Sequence, residues 1–151
     1  MPYTLDLRKK VGHDPIFMPC AGCAIIKDNQ ILLQKRNDNG KWALHGGSLE
    51  LGETFLEAVQ REVKEEINVE IVNPKLVNMY SGEDMHFFYP NNDEVYGVAA
   101  IYLVQEYEGE LKFDPEEVVE IKWFDINDLP ENLHTVDIKP IKDAIEMYKG
   151  M

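Results

Sequence analysis

A chain of 151 residues, 44% of them apolar and 10% aromatic, is the size and composition of one ordinary globular domain, long enough to bury a core without disulfides or structural metal. Its net charge of −13, from 15 basic against 28 acidic residues, argues against general affinity for nucleic acid or an anionic membrane. A small anionic ligand stays compatible with that charge, because a bound divalent cation reverses the sign of a local site.

The opening MPYTLDLRKKVGHDP has early charges and no apolar run, and no later stretch approaches a membrane span. The expectation is a soluble, cytoplasmic protein. After this lead, Phe17 to Lys27 reads as a mostly buried strand, Asp28-Asn29 as a turn and Gln30 to Arg36 as the hairpin partner. Cys20 and Cys23 lie within the first strand, where residues three apart face opposite ways. Without a second cysteine pair they read as packed side chains rather than a metal or redox site. Asn37 to Gly40 is a turn cluster, Lys41 to Leu44 a short extended piece, and HGGSLELGE a glycine-rich loop.

A helix follows. Thr54 and Glu57 have capping-box spacing, and Phe55, Val59, Val63 and Ile67 form one apolar stripe. Strands are expected at Val69 to Ile71, Lys75 to Tyr80, Glu94 to Tyr107 and Val118 to Phe124, with a loop at Ser81 to Met85 and a turn at Pro90 to Asp93. A short turn from Asp125 ends at Pro130, and a terminal helix, Ile141 to Tyr148, has Pro140 at its start. Strands interrupted by one helix and finished by another describe a single α+β domain, residues 1–151, with helices packed on a sheet.

On the first helix Glu62, Glu65 and Glu66 are related by i+3 and i+4, so they share one face, beside the apolar stripe. Arg61 is placed to pair with Glu57 or Glu65, but one guanidinium cannot neutralise three carboxylates, whereas Mg2+ or Mn2+ could. Taken alone, the three glutamates also fit a solvated acidic surface.

The flanking residues decide between those readings. Gly47, five residues, Glu53, seven residues, then Arg61-Glu62-Val63-x-Glu65-Glu66-x-Asn68-Val69 resembles the Nudix box, G-x5-E-x7-R-E-U-x-E-E-x-G-U, at eight of nine specified positions. Lys41 to Gly46 resembles the family's approach to the box, with His45 where proline is common, and Val118 to Leu129 is similar to its late strand and helical turn. Residues 17 to 130 are thus covered and the first sixteen are not. The resemblance implies an α/β/α sandwich, a mixed β-sheet with helices on both faces. It also implies a metal-dependent hydrolase of a nucleoside diphosphate linked to a second group, with Mg2+ or Mn2+ as cofactor. By resemblance the metal ligands are Glu62, Glu65, Glu66 and the Gly46 carbonyl, Arg61 holds the carboxylates, and Glu53 supports the loop or a water-bridged ion. Glu65, Glu66 or a carboxylate outside the box is the general base; Glu117 is one candidate, and Glu83 and Asp84 are the rivals.

Asn68 replaces the box's last glycine, and its tolerance of the left-handed region makes that change structurally conservative, with Asn68→Gly expected to be nearly neutral. His45 reads as a structural variation, with substrate contact the other option. Arg36 is a candidate phosphate contact, and Trp42, Tyr80, Phe87 and Tyr89 are candidate base-stacking groups, although a small domain buries most of its aromatics. The substrate class stays open among an oxidised deoxynucleoside triphosphate, ADP-ribose, another nucleotide sugar and a capped dinucleotide. A catalytically silent Nudix-fold sensor or interaction module is the competing class, but every box acid is present. A simple acidic ion binder would not need Gly47, Glu53 and Arg61 at these spacings. Many family members are dimers, and a homodimer is the corresponding expectation.

Overall fold

The computed structural model describes residues 3–151. A helix, α1 (Tyr3–Val11), precedes two long strands, β1 (Ile16–Lys27) and β2 (Gln30–Arg36), and two short ones, β3 (Trp42–Ala43) and β4 (His45–Ser48). Helix α2 (Phe55–Ile67) leads to β5 (Glu70–Val72), β6 (Lys75–Tyr80), β7 (His86–Phe88), β8 (Glu94–Val104), β9 (Glu106–Glu108) and β10 (Val118–Asp125). Helix α3 (Ile138–Lys149) closes the chain. Among the described residues no helix is long and apolar enough to cross a membrane.

The main sheet runs β10-β2-β1-β8-β6, with β3, β4 and β7 added at its margins, while β5 and β9 form a separate pair. Among the strand ladders of the described residues, that of β1 with β8 is parallel and the others are antiparallel. Side-chain alternation along β1 and β2 builds two cores. Ala24, Ile26, Ile31 and Leu33 pack with Ile141, Ala144 and Ile145 of α3. Cys23, Ile25 and Leu32 pack with Val59, Val63 and Ile67 of α2. Each of those three α2 residues is fully buried, worth roughly 1.5–3 kcal/mol of transfer free energy apiece. The mixed sheet with a helix on each face is the α+β sandwich expected, and Cys20 and Cys23 fall into opposite cores as free thiols.

Helix α2 has both ends closed. Thr54 Oγ1 accepts from the Glu57 N–H, Glu57 accepts in turn from the Thr54 N–H, and Asn68 sits in the left-handed region at φ 67°. Asn68 does more than stand in for glycine. Its Nδ2 donates to the Glu110 carbonyl at 3.0 Å, tying the helix end to the segment after β9. That contact corrects the expectation that Asn68→Gly is nearly neutral.

Other boundaries differ for identifiable reasons. The glycine-rich stretch is half strand, because β4 pairs with β1 from Cys20↔Ser48 to Cys23↔His45. The expected strand Glu94 to Tyr107 breaks at Gln105, where the chain leaves the main sheet to pair with β5 as β9. Residues His86–Phe88, for which no element was expected, form strand β7, and α1 was unforeseen, having no buried residue to give it an apolar stripe. Arg8 anchors it by donating to the carbonyls of Gly12, Asp14 and Glu94.

Candidate active site

Strand β1 changes neighbour along its length. Its last residues pair with β2 at Ile25↔Leu32, Ile26↔Ile31 and Lys27↔Gln30, but Cys20 to Cys23 pair with β4 instead. The sheet therefore opens as a wedge between β1 and β2, and β4 lines it beneath α2. Two glycines permit this. Gly46 takes φ 151°, and a Cβ there would lie 2.2 Å from the Ala21 carbonyl oxygen. A Cβ on Gly47 would lie 2.5 Å from the carboxylate carbon of Glu62, so the first residue of the box makes room for a carboxylate.

Around that opening, one guanidinium organises the acids. Arg61 Nε and Nη2 donate to the two oxygens of Glu53 at 2.7 and 2.9 Å, a bidentate pair. Its Nη1 donates to Glu62 at 2.9 Å and reaches Glu65 at 3.3 Å, and Nη2 also donates to the Ser48 carbonyl. Glu57 is occupied by the helix cap, so of the two expected helix partners only Glu65 is engaged. Glu53 closes its own loop by accepting from the Glu50 N–H at 2.8 Å. The Arg61 hydrogen bond holds Glu53 below the usual carboxylate range.

Glu66 is held differently. It accepts from the Gly46 N–H at 2.9 Å and from the Gln34 side chain. Burial lifts its pKa well above the ordinary value, and the neighbouring Glu62 charge adds to the rise. Burial also raises Glu62, with Arg61 opposing it. Glu65 is the outward member of the three, its side chain 56% exposed against 19% for Glu62.

These residues fit a hard divalent cation. The donors are all oxygen, the two inner carboxylates repel each other, and Gly47 leaves open the space beside one of them. Among the described residues, no three His, Cys, Asp or Glu side chains stand together so as to hold a metal ion as they are placed.

A cavity of about 460 Å³ opens beside Glu66, with Gly46, Gly47 and Glu117 at the same end. Phe87 and Tyr89 line it; Trp42 and Tyr80 do not. Trp42 packs edge-on against Phe124, and Tyr80 donates its hydroxyl to Asp143, so both belong to the α3 core. Glu83 and Asp84 sit exposed on a 3-10 turn outside the lining, whereas Glu117 is part of it.

Arg36 also lines the cavity, paired through two nitrogens with Asp38 and with Nη1 3.0 Å from His134 Nε2. The rings of Phe87 and Tyr89 lie against its guanidinium at 5.6 and 5.9 Å. Burial and the charges of Arg36 and Lys41 push His134 down to about 4, so it is neutral at physiological pH.

Gln34, His134 and Asp137 were not foreseen. A glutamine at the inward end of QILLQ, on the Leu32 face, was a usable signal for the first. The other two lie after Pro130, where no periodicity marks them. His45 is fully buried, with its ring nitrogens 2.8 Å from Gln34 Oε1 and 2.9 Å from the Leu32 carbonyl. Burial drives it to about 4, and the neutral ring props the glutamine that holds Glu66, a structural role at one remove from the site.

Comparison with known proteins gives this fold its family. A family model described as the NUDIX domain matches residues 17–144, and the chain belongs to that family. An ADP-ribose pyrophosphatase from Methanocaldococcus jannaschii is 37% identical over 151 residues, covering 98% of this chain and 80% of that protein. The NAD-capped RNA hydrolase NudC of Vibrio atlanticus is 34% identical over 121 residues, 79% of this chain, which spans only 41% of that longer protein. Among solved structures, a MutT NUDIX hydrolase from Burkholderia pseudomallei superposes with a TM-score of 0.74 at 28% identity, covering 85% of this chain and 98% of that one.

Proposed function

We propose that this Nudix protein is a divalent-metal-dependent pyrophosphohydrolase acting on a nucleoside diphosphate linked to a second group, with ADP-ribose as the favoured substrate. One observation carries the reading: two half-buried, mutually repelling carboxylates, Glu62 and Glu66, stand together, and Glu66 lines a cavity large enough for a nucleotide. The 37% identity along nearly the whole chain to an ADP-ribose pyrophosphatase supports the choice of substrate. The net charge of −13 weighs against an RNA substrate.

Glu62, Glu65, Glu66 and the Gly46 carbonyl would hold Mg2+ or Mn2+. When bound, such a cation neutralises diphosphate charge and acidifies water. Arg61 fixes Glu62 and Glu65 in direction, while Glu53 fixes Arg61. The Gly46 N–H and Gln34 aim Glu66. Glu117 faces the same end of the cavity and is the candidate base outside the box. Water adds to one phosphorus, the bridging P–O bond breaks, and two monophosphate products leave.

The test is product analysis by chromatography with ADP-ribose and Mg2+ or Mn2+. Wild type should release AMP and ribose 5-phosphate only with metal, and Glu66→Gln should lower turnover at least about 100-fold. Equal trace activity in both proteins sinks the enzyme reading in favour of a silent ligand-binding module. Glu117→Gln should alter the pH profile; an unchanged rate and profile removes it as base.

A further inference from the structure

Helix α3 covers one face of the sheet, but α2 covers only part of the other, packing on β1, β4 and β5. The strand register shows what the rest of that second face presents. Phe17 of β1 pairs with Tyr96 of β8, and Tyr96 pairs with His86 of β7. The next rows along β8 are Pro19 with Val98, Met79 with Ala100, and Leu76 with Tyr102. Glu94 pairs with Phe88 at the end of the face. The bulge between Leu76 and Asn78 puts both Val77 and Tyr80 on the α3 core, and so turns Leu76 and Met79 to this side. Phe17 is 75% exposed, Phe88 54%, Leu76 50% and Met79 44%. In these rows the one acid is Glu94, and His86 Nε2 donates to it at 2.7 Å.

Apolar side chains in rows on adjacent strands, with no charge projecting from their middle, make a surface built to be covered. The face is on offer here, and the edge is not. Strand β6, at the end of the sheet, has a blunted edge. The bulge breaks its ladder, and Asn78 Oδ1 accepts from the Met79 N–H at 2.8 Å, a donor that an added strand would need. From Phe88 to Leu76 the face is about 27 Å long at the usual strand rise. It continues past Phe17 onto the loop at residues 49–52 and α1. That span can bury the roughly 800 Å² per partner of a stable pair. The surface is also self-complementary. Phe17 and Leu51, the latter 79% exposed, project beside a second cavity of about 210 Å³ lined by Leu7, Ile16 and Leu49. A twofold axis sets one patch against itself, so knob and hole must lie on the same surface. We propose that this face is the interface of a twofold homodimer, with Phe17 and Leu51 of each protomer seated against the other's cavity. This pairing does not depend on which substrate the catalytic cavity takes.

Analytical ultracentrifugation tests it. Wild type at about 50 µM should sediment at about 35 kDa, twice the 17.4 kDa chain. Phe17→Glu combined with Leu76→Glu should weaken pairing at least about 100-fold. Val119→Glu, at an exposed apolar site on β10, should leave it unchanged. Because each copy carries a charge of −13, raising NaCl from about 0.05 to about 0.5 M should tighten the pair by screening the repulsion. A wild-type monomer at that concentration overturns the assignment and leaves the face to a different partner. So does a dimer that survives the double substitution, one that Val119→Glu also breaks, or one that salt loosens. Should the double variant fail to fold, peroxide oxidation of wild type decides. Met79 should react at least about fivefold more slowly than Met151, although both are exposed in the single chain; equal rates overturn the pairing.

Discussion

Helices α2 and α3 cover opposite faces of one sheet with similar apolar stripes, yet they spend their polar residues differently. In α2 the termini are closed by Thr54, Glu57 and Asn68, and the acids of its face have named partners in Arg61, Gly46 or Gln34. In α3 the N-cap residue, Asp137, leaves its own helix unassisted and accepts instead from the Leu44 N–H across the fold. A group with every partner in place gives rigid placement.

The sharpest way to break the α2 side is Gly47→Ala. The added methyl would sit 2.5 Å from the Glu62 carboxylate carbon and must displace it. Turnover should fall by about ten- to 100-fold while the melting temperature moves by only a few degrees. An unaltered rate would show that the placement of Glu62 does not matter. Next comes the helix end. Asn68→Ala should cost about 2 kcal/mol in chemical unfolding, from a left-handed alanine plus the lost bond to Glu110. Asn68→Gly should cost about 1 kcal/mol or less, since only the bond is lost. Equal losses would remove the backbone argument.

The cavity side has a pH signature. The folded pKa of His134, about 4, lies below its ordinary 6.5, so the unfolded chain takes up the proton first. Stability is whole above about 6.5 and is lost as the pH falls toward 4, at no more than about 1.4 kcal/mol per pH unit for one site. His45, driven to about 4 by burial, adds a second site of the same sign, while Asp137 and Glu66, raised by burial, oppose both, so His134→Asn should lower the slope measured by denaturant titration by no more than about 1.4 kcal/mol per pH unit. A slope that the substitution leaves intact places the titration elsewhere. The smallest effects contrast the two caps. Thr54→Ala should cost about 1 kcal/mol, and Asp137→Asn less than about half that, because it loses no capping bond. Equal costs would abolish the contrast drawn between the helices.

What could be read from the chain follows the same division. The β1–β2 hairpin, the α2 capping box and stripe, and the acids of the box depend on residues close in sequence, so spacing alone exposes them. Arg36 stands out in the sequence as a candidate phosphate contact, but its pairing with Asp38 and His134 does not, and His134 comes from a segment 98 residues away. Trp42 and Tyr80 looked as eligible for stacking as Phe87 and Tyr89; only the register of β3, β6 and β7 separates core from cavity. Nothing local in the sequence marks Asp137, because its bond to the Leu44 N–H spans the fold.

The three neighbours of β1 also imply an order of assembly. Ile26 meets Ile31 across a two-residue turn, Cys23 meets His45 after about 20 residues, and Cys23 meets Tyr102 only after about 80. Loop closure grows more costly with separation, and non-local pairings are made late. The acid cluster, contained between Gly46 and Glu66, requires only the short closures. The far wall of the cavity requires β8 and the start of α3, the last parts of the chain to be joined. In refolding followed by pulsed hydrogen exchange, amides of α2 and β4 should gain protection before those of β8.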